Sequence, residues 1–210
     1  MLSHIFSSAT VGINAYIVDI ETHIENQMPS FNIVGLPDNA VKESRERVGA
    51  AIKNSDLVFP TKRITVNLAP ADIRKEGSAF DLPIAIGILA ALEQVESERL
   101  AKFVILGELA LDGVLRSVHG ILPIAIEAKK KGYTGLIVPT ENGKEAAMVE
   151  GLETYAFGSL RAVVDFLNGN SNLAPLHVDL KAIFETDGKY LVDLSEVKGQ
   201  ENVKRALEVA

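Results

Sequence analysis

Cysteine is absent from all 210 residues. That excludes disulfides, thiolate nucleophiles and cysteine-ligated zinc together, and it fits an expectation of a reducing cytoplasm. Positive charge is scarce as well. The 21 Lys and Arg residues face 28 Asp and Glu, for a net charge of -7. No global basic field exists to attract nucleic acid, so any such contact has to use local patches. A long apolar run is also missing. The longest, LPIAIGILAAL at residues 82–92, is too short to span a bilayer and reads as a buried helix. The opening MLSHIFSSATVG lacks the basic flank and apolar core of a signal peptide. No membrane association is expected.

Two further motifs are lacking. Gly-x4-Gly-Lys-Ser/Thr does not occur, and GLPDNAVKES offers only Gly35 and Lys42 after a strand. A turn before a helix start is the plainer reading. His4, His23, His119 and His177 are scattered, with no i, i+4 pair and no nearby carboxylate motif, so no metal site is expected. No acidic pair stands out as a general acid/base dyad.

What is present is an alternation of strand and helix patterns. FSSATVG, NAYIVDIETHIE and SFNIVGL read as strands, although the alternation slips near Asp19. Residues 37–55 follow as a helix. Pro37 and Asp38 suit its start, and Val41, Val48, Ala51 and Ile52 share its apolar face. RITVNLAP is a strand rich in β-branched residues, and residues 81–94 are an apolar helix. FVILGEL reads as one buried strand, and ALDGVLRSV as a hairpin turning at Asp112 and Gly113. A helix closing at Gly132, the strand GLIVP, a short helix, the strand LETYAF and a helix from Ser159 to Gly169 complete the pattern. The class is α/β (or α+β) with a mixed sheet. After Gly169 the pattern dissolves into a linker. It returns as a helix near the end, where KGQENVKRALEVA alternates charged and apolar residues.

Few residues suggest chemistry. In NLAPADIRKEGSAFDLPIAIGILAAL a tight turn runs straight into a buried helix. Ser78 and Lys75 would make a conceivable Ser/Lys dyad at its start. The plainer alternative is capping, either by a Ser78–Asp81 capping box or by Asp81 as N-cap. The basic clusters are small: Lys62 with Arg63, Arg74 with Lys75, and residues 129–131. For each, a solvated charged face competes with a nucleic-acid contact.

The stretch KEGSAFDLPIAIGILAAL resembles the turn and helix that carry the nucleophile in the proteolytic domain of Lon proteases, and VILGELALDGVLRSVHGILPIAIEAKKKGYTGLIVPTENGKEA continues the likeness. The resemblance implies the ribosomal-protein-S5-domain-2-like fold, with helices on a mixed sheet. It places Ala79 at the family's nucleophile and Leu122 at its lysine. Neither can perform its part, and Ser78 stands one place early, about 100° away around a helix.

A longer likeness runs through SSATVGINAYIVDIETHI, FNIVGLPDNAVKESRERVGAAIKNS, RITVNLAPADIRKEGSAFDLPIAIGILAA and DLSEVKGQENVKRALEVA. Together these resemble the magnesium-chelatase-related ComM/YifB family of bacterial AAA+ ATPases. The resemblance implies a Lon-like domain over residues 1–169, a linker over 170–191, and the beginning of an AAA+ module over 192–210 that stops before Walker A. In such modules Gly199 and Gln200 would lie near the adenine.

It also implies a full-length cytoplasmic ATPase using ATP and magnesium, a hexamer, and DNA as partner. The ComM branch is associated with a helicase that drives branch migration in natural transformation. This stretch itself would bind no cofactor and catalyse nothing. Lys62, Arg63, Arg74 and Lys75 are the expected DNA contacts. The alternatives are a Ser/Lys peptidase using Ser78 and Lys75, and a role in magnesium insertion into pigment.

Overall fold

A computed structural model of the chain describes residues 1–179 and 196–209. The strand-rich beginning forms a long hairpin, β1 (Leu2–Val11) and β2 (Asn14–Glu25), paired antiparallel from Leu2–His23 to Val11–Asn14. Strand β3 (Ser30–Val34) leads into helix α1 (Asn39–Asn54) and then β4 (Arg63–Ala69). Asp38 caps α1 as its identity demands, with Oδ1 accepting from the Val41 amide at 2.7 Å.

Helix α2 (Asp81–Ala91) follows, and then β5 (Phe103–Ile105), a short hairpin of β6 (Glu108–Leu109) and β7 (Leu115–Arg116), and helix α3 (Ile121–Lys130). The remaining elements are β8 (Gly135–Pro139), the single turn α4 (Gly143–Ala146), β9 (Glu153–Phe157) and α5 (Leu160–Leu167). Seven strands make one sheet in the order β3-β4-β2-β1-β5-β8-β9. Its pairs are parallel except β1–β2 and β2–β4, so the sheet is mixed as expected.

The sheet's two faces sort the side chains by the strand period. Ile137 of β8 points into a core with α1, α2 and α5, while its neighbours Leu136 and Val138 point into a second core with α3 and α4. Every residue of α2 is buried. This explains its apolar composition without a polar stripe. Side chains such as Leu82, Ile84, Ile86 and Ile88 each stabilise the fold by about 1.5–3 kcal/mol through burial.

FVILGEL departs from the expected single strand. Pairing with β8 ends after Ile105, where the Leu106 amide still reaches Ile137 O at 3.0 Å. Gly107 then leaves the sheet. Its amide donates to Ala79 O at 3.0 Å, and its carbonyl accepts from the Leu82 amide at 2.9 Å. A Cβ at Gly107 would stand 3.3 Å from Leu82 and 3.1 Å from Leu115, so either side chain would have to give by a few tenths of an ångström to admit one.

The first compact unit runs Met1–His177, past the boundary expected at Gly169. The Leu176 amide donates to Thr154 O at 2.8 Å, and its side chain packs against Gly143. The rest of the expected linker lies largely outside the described residues. The second unit, Val178–Ala210, contains helix α6 (Glu201–Val209), which buries none of its residues. Among the described residues no helix is long and apolar enough to cross a membrane.

Candidate functional site

The turn expected to carry chemistry borders a cleft of about 910 Å³. Its walls come from the end of β1 (Ser8, Thr10), the turn (Arg74, Ser78, Ala79), Glu108, and the segment before α3 (Ser117, His119). The floor is held by hydrogen bonds over long sequence separations. Asp38 is central: Oδ2 accepts from the Gly77 amide at 3.3 Å, and its own amide donates to Lys75 O at 3.0 Å. The Lys75 amide donates to Leu36 O at 3.2 Å. Gly35 has φ +96°, and a Cβ there would lie 2.2 Å from Leu68 O, so the close approach of β4 requires glycine at this turn.

Lys75 is completely buried, which removes it from the surface where a DNA contact would need it. Its ammonium donates to Pro70 O and to Ile73 O, the latter at 2.7 Å. Burial lowers its pKa, and the Asp72 carboxylate opposes the shift. Ser78 does not meet it. Its hydroxyl donates to Glu108 Oε2, while Glu108 Oε1 lies 3.5 Å from Arg116 Nη1. A serine nucleophile needs an acceptor base within hydrogen-bond reach, and the two members of the conceivable dyad have different partners.

Neither capping arrangement expected for α2 occurs. Phe80 occupies the N-cap and makes no side-chain cap bond. Asp81 instead turns its fully buried carboxylate to Arg47 of α1. Arg47 Nε donates to Oδ2 at 2.6 Å and Nη2 to Oδ1 at 3.0 Å, and the Leu109 amide donates to Oδ2 at 3.2 Å. Burial raises the Asp81 pKa to about 6 against the opposing pull of Arg47. The ion pair ties α1, α2 and β6 together beneath the cleft.

The wall before α3 is pinned from the segment after β8. Asn142 Oδ1 accepts from the Val118 amide at 2.9 Å, and Nδ2 donates back to Val118 O at 2.9 Å. Glu141 accepts from the Ser117 amide, and Glu145 from the Leu122 amide, both at 3.0 Å. Sequence reasoning missed Arg47, Glu108 and Asn142. Their only signal was their location: Glu108 and Asn142 lie in the stretch likened to Lon, and Arg47 in one likened to the ComM/YifB family.

The remaining expected residues are dispersed. Ala79 lines the cleft, and Leu122, 36% exposed, lies on the second residue of α3. Lys62 is half-buried and Arg63 exposed at the start of β4. Arg63 donates to Gln27 Oε1 at 3.0 Å. Arg74 is exposed beside Glu76, at 3.4 Å. Arg63 faces Glu25 of β2, whereas the Arg74 carbonyl accepts from the Tyr16 hydroxyl. Nine residues of β2 separate those two contacts, about 30 Å along a strand. The basic pairs therefore form two patches. Gly199 and Gln200, at φ 74° and 59°, precede α6, and Gln200 O accepts from the Val203 and Lys204 amides at 2.9 and 3.1 Å.

Comparison with known proteins agrees with this frame. The family described as subunit ChlI of Mg-chelatase matches residues 20–142. The competence protein ComM of Haemophilus influenzae is 46% identical over 211 residues, covering 100% of this chain and 41% of that protein. YifB of Escherichia coli is 42% identical over 211 residues, covering 99% of this chain and 40% of its own length. Lon protease 2 of Bacillus subtilis is 25% identical over 142 residues, covering 66% of this chain and 25% of that protein. The chain thus spans about two fifths of the length of ComM and YifB.

Proposed function

Because the chain belongs to the Mg-chelatase subunit ChlI family, in the company of ComM and YifB, we propose that it is the accessory domain of a DNA-handling AAA+ ATPase. The domain binds and positions; it does not cut peptides. The observation carrying this reading is the separation of Lys75 from Ser78, with the lysine held by two carbonyls and the serine by Glu108. The cleft keeps a Lon-like frame around groups engaged elsewhere.

ATP and magnesium belong to the remaining three fifths of such a protein. No Walker A sequence occurs in these 210 residues. The whole protein would be a cytoplasmic hexamer that moves branched DNA, in keeping with the competence role in ComM's name. Gly199 and Gln200 would border the adenine. Of the four expected DNA contacts, Lys62, Arg63 and Arg74 remain, in two patches.

The test is fluorescence anisotropy of the chain with single-stranded and forked DNA across a salt series. Arg74→Glu and Lys62→Glu/Arg63→Glu are measured alongside. Binding that weakens with salt and falls in either variant supports a DNA-contacting domain, because phosphate contacts release counterions. Binding unaffected by both charge reversals overturns this role. A parallel peptidase assay decides the second point: hydrolysis that disappears in Ser78→Ala would restore the enzymatic reading.

A further inference from the structure

At the other end of β1 the hairpin brings His4 beside two side chains of β2, Asp19 and Glu21. The hairpin register sets His4 directly across from Glu21, and Asp19 follows two residues away on the same face of β2. One donor atom from each lies within 4.8 Å of the others, the one such trio of His and carboxylate donors among the described residues. We propose that His4, Asp19 and Glu21 bind a divalent transition-metal ion.

Three observations distinguish this trio from ordinary surface charge. First, Asp19 Oδ1 is enclosed and accepts no hydrogen bond. His4 Nδ1 is its nearest ionic neighbour at 3.6 Å, beyond hydrogen-bond reach. The Asp19 side chain as a whole is 36% exposed, and a cation would give this oxygen the partner it lacks. Second, Glu21 is already oriented: the Asn67 amide of β4 donates to Oε2 at 2.7 Å, which leaves Oε1 for a ligand. Such outer partners aim the ligands of metal sites. Third, His4 is exposed and Glu21 half-exposed, so an ion has a path in.

The donor set selects the class of ion. One imidazole and two carboxylates suit zinc, manganese or iron better than calcium, which takes oxygen ligands throughout. Bonds of about 2.0–2.2 Å around one tetrahedral zinc place its donors about 3.3–3.6 Å apart. The present spacing, within 4.8 Å, has to contract by about 1 Å on binding.

The experiment is calorimetric titration of the 210-residue chain with zinc, and with cobalt(II) to follow its visible absorption. Wild type, His4→Gln, Asp19→Asn, Asn67→Ala and the control His23→Gln are compared. His23 is a useful control because it lies on the same strand, 3.2 Å from Glu25. The expected result is one ion per chain, lost in His4→Gln and Asp19→Asn and kept in His23→Gln. Asn67→Ala weakens it by about 10–100-fold. Zinc also raises the thermal midpoint of wild type but not of Asp19→Asn. No binding by wild type overturns the proposal. So does binding that survives both ligand substitutions, or that His23→Gln abolishes equally. His4 is exposed and Asp19→Asn is isosteric, and circular dichroism checks that both variants fold.

Discussion

Arg47 holds Asp81 at two points, Nε to Oδ2 at 2.6 Å and Nη2 to Oδ1 at 3.0 Å, where α2 is wholly buried. Burial still outweighs the pair, and the Asp81 pKa rises from 3.8 to about 6. The folded protein therefore holds this proton more tightly than the unfolded chain. The associated stability is fully present below pH 3.8 and is lost as pH rises through about 6. Urea unfolding of wild type and Asp81→Asn at pH 4, 5 and 7 measures it: wild type should lose stability relative to the variant across that series. Arg47→Met leaves the carboxylate without its cation and should cost about 3–5 kcal/mol at pH 7.

Lys75→Met keeps much of the side-chain volume and removes the donors to Pro70 O and Ile73 O. Hydrogen bonds from a charged donor contribute about 1.5–3 kcal/mol each. The variant should unfold at lower urea and show faster amide exchange at Lys75 and Gly77, where the turn joins Leu36 and Asp38. Under the proposed DNA role, its DNA affinity should match wild type, since the charge it removes lies inside. Loss of DNA binding without loss of stability would contradict the buried assignment.

Gly35→Ala tests the backbone contact under the cleft. The new Cβ would stand 2.2 Å from Leu68 O at φ +96°, so either the β3 end or β4 has to shift. A cost above about 2 kcal/mol is expected from strain at such a position. Thermal unfolding reads it directly.

Local chemistry made much of the scaffold legible. Asp38 and Ser159 announce helix starts and cap them, with Ser159 Oγ accepting from the Ala162 amide at 3.4 Å. Asp112 and Gly113 announce a hairpin and form its turn. What escaped was decided by distant partners. Asp81 looks like a cap until Arg47, 34 positions earlier, claims it. FVILGEL looks like one strand until Ala79 and Leu82 take the Gly107 backbone. Lys75 looks like a surface residue between Arg74 and Glu76 until the turn folds its ammonium inward. His4 and Glu21 meet through hairpin register, which a search for i, i+4 histidines cannot detect.

The Asn142 amide offers the sharpest test of how the cleft wall is built. It makes both a donor and an acceptor bond to the backbone of Val118, each at 2.9 Å, and both groups are buried. Asn142→Ala leaves two backbone groups unsatisfied and should cost about 2–4 kcal/mol. Asn142→Asp keeps the acceptor for the Val118 amide but sets a carboxylate oxygen against Val118 O, so it should rescue little. Glu141→Gln and Glu145→Gln keep an acceptor for the Ser117 and Leu122 amides and should stay near wild type. Urea unfolding ranks the four, and amide exchange at Ser117 and Val118 locates the change. If Asn142→Ala matches Glu141→Gln in both, the wall is held by the packing of Ile121 and Ile124 in the second core instead.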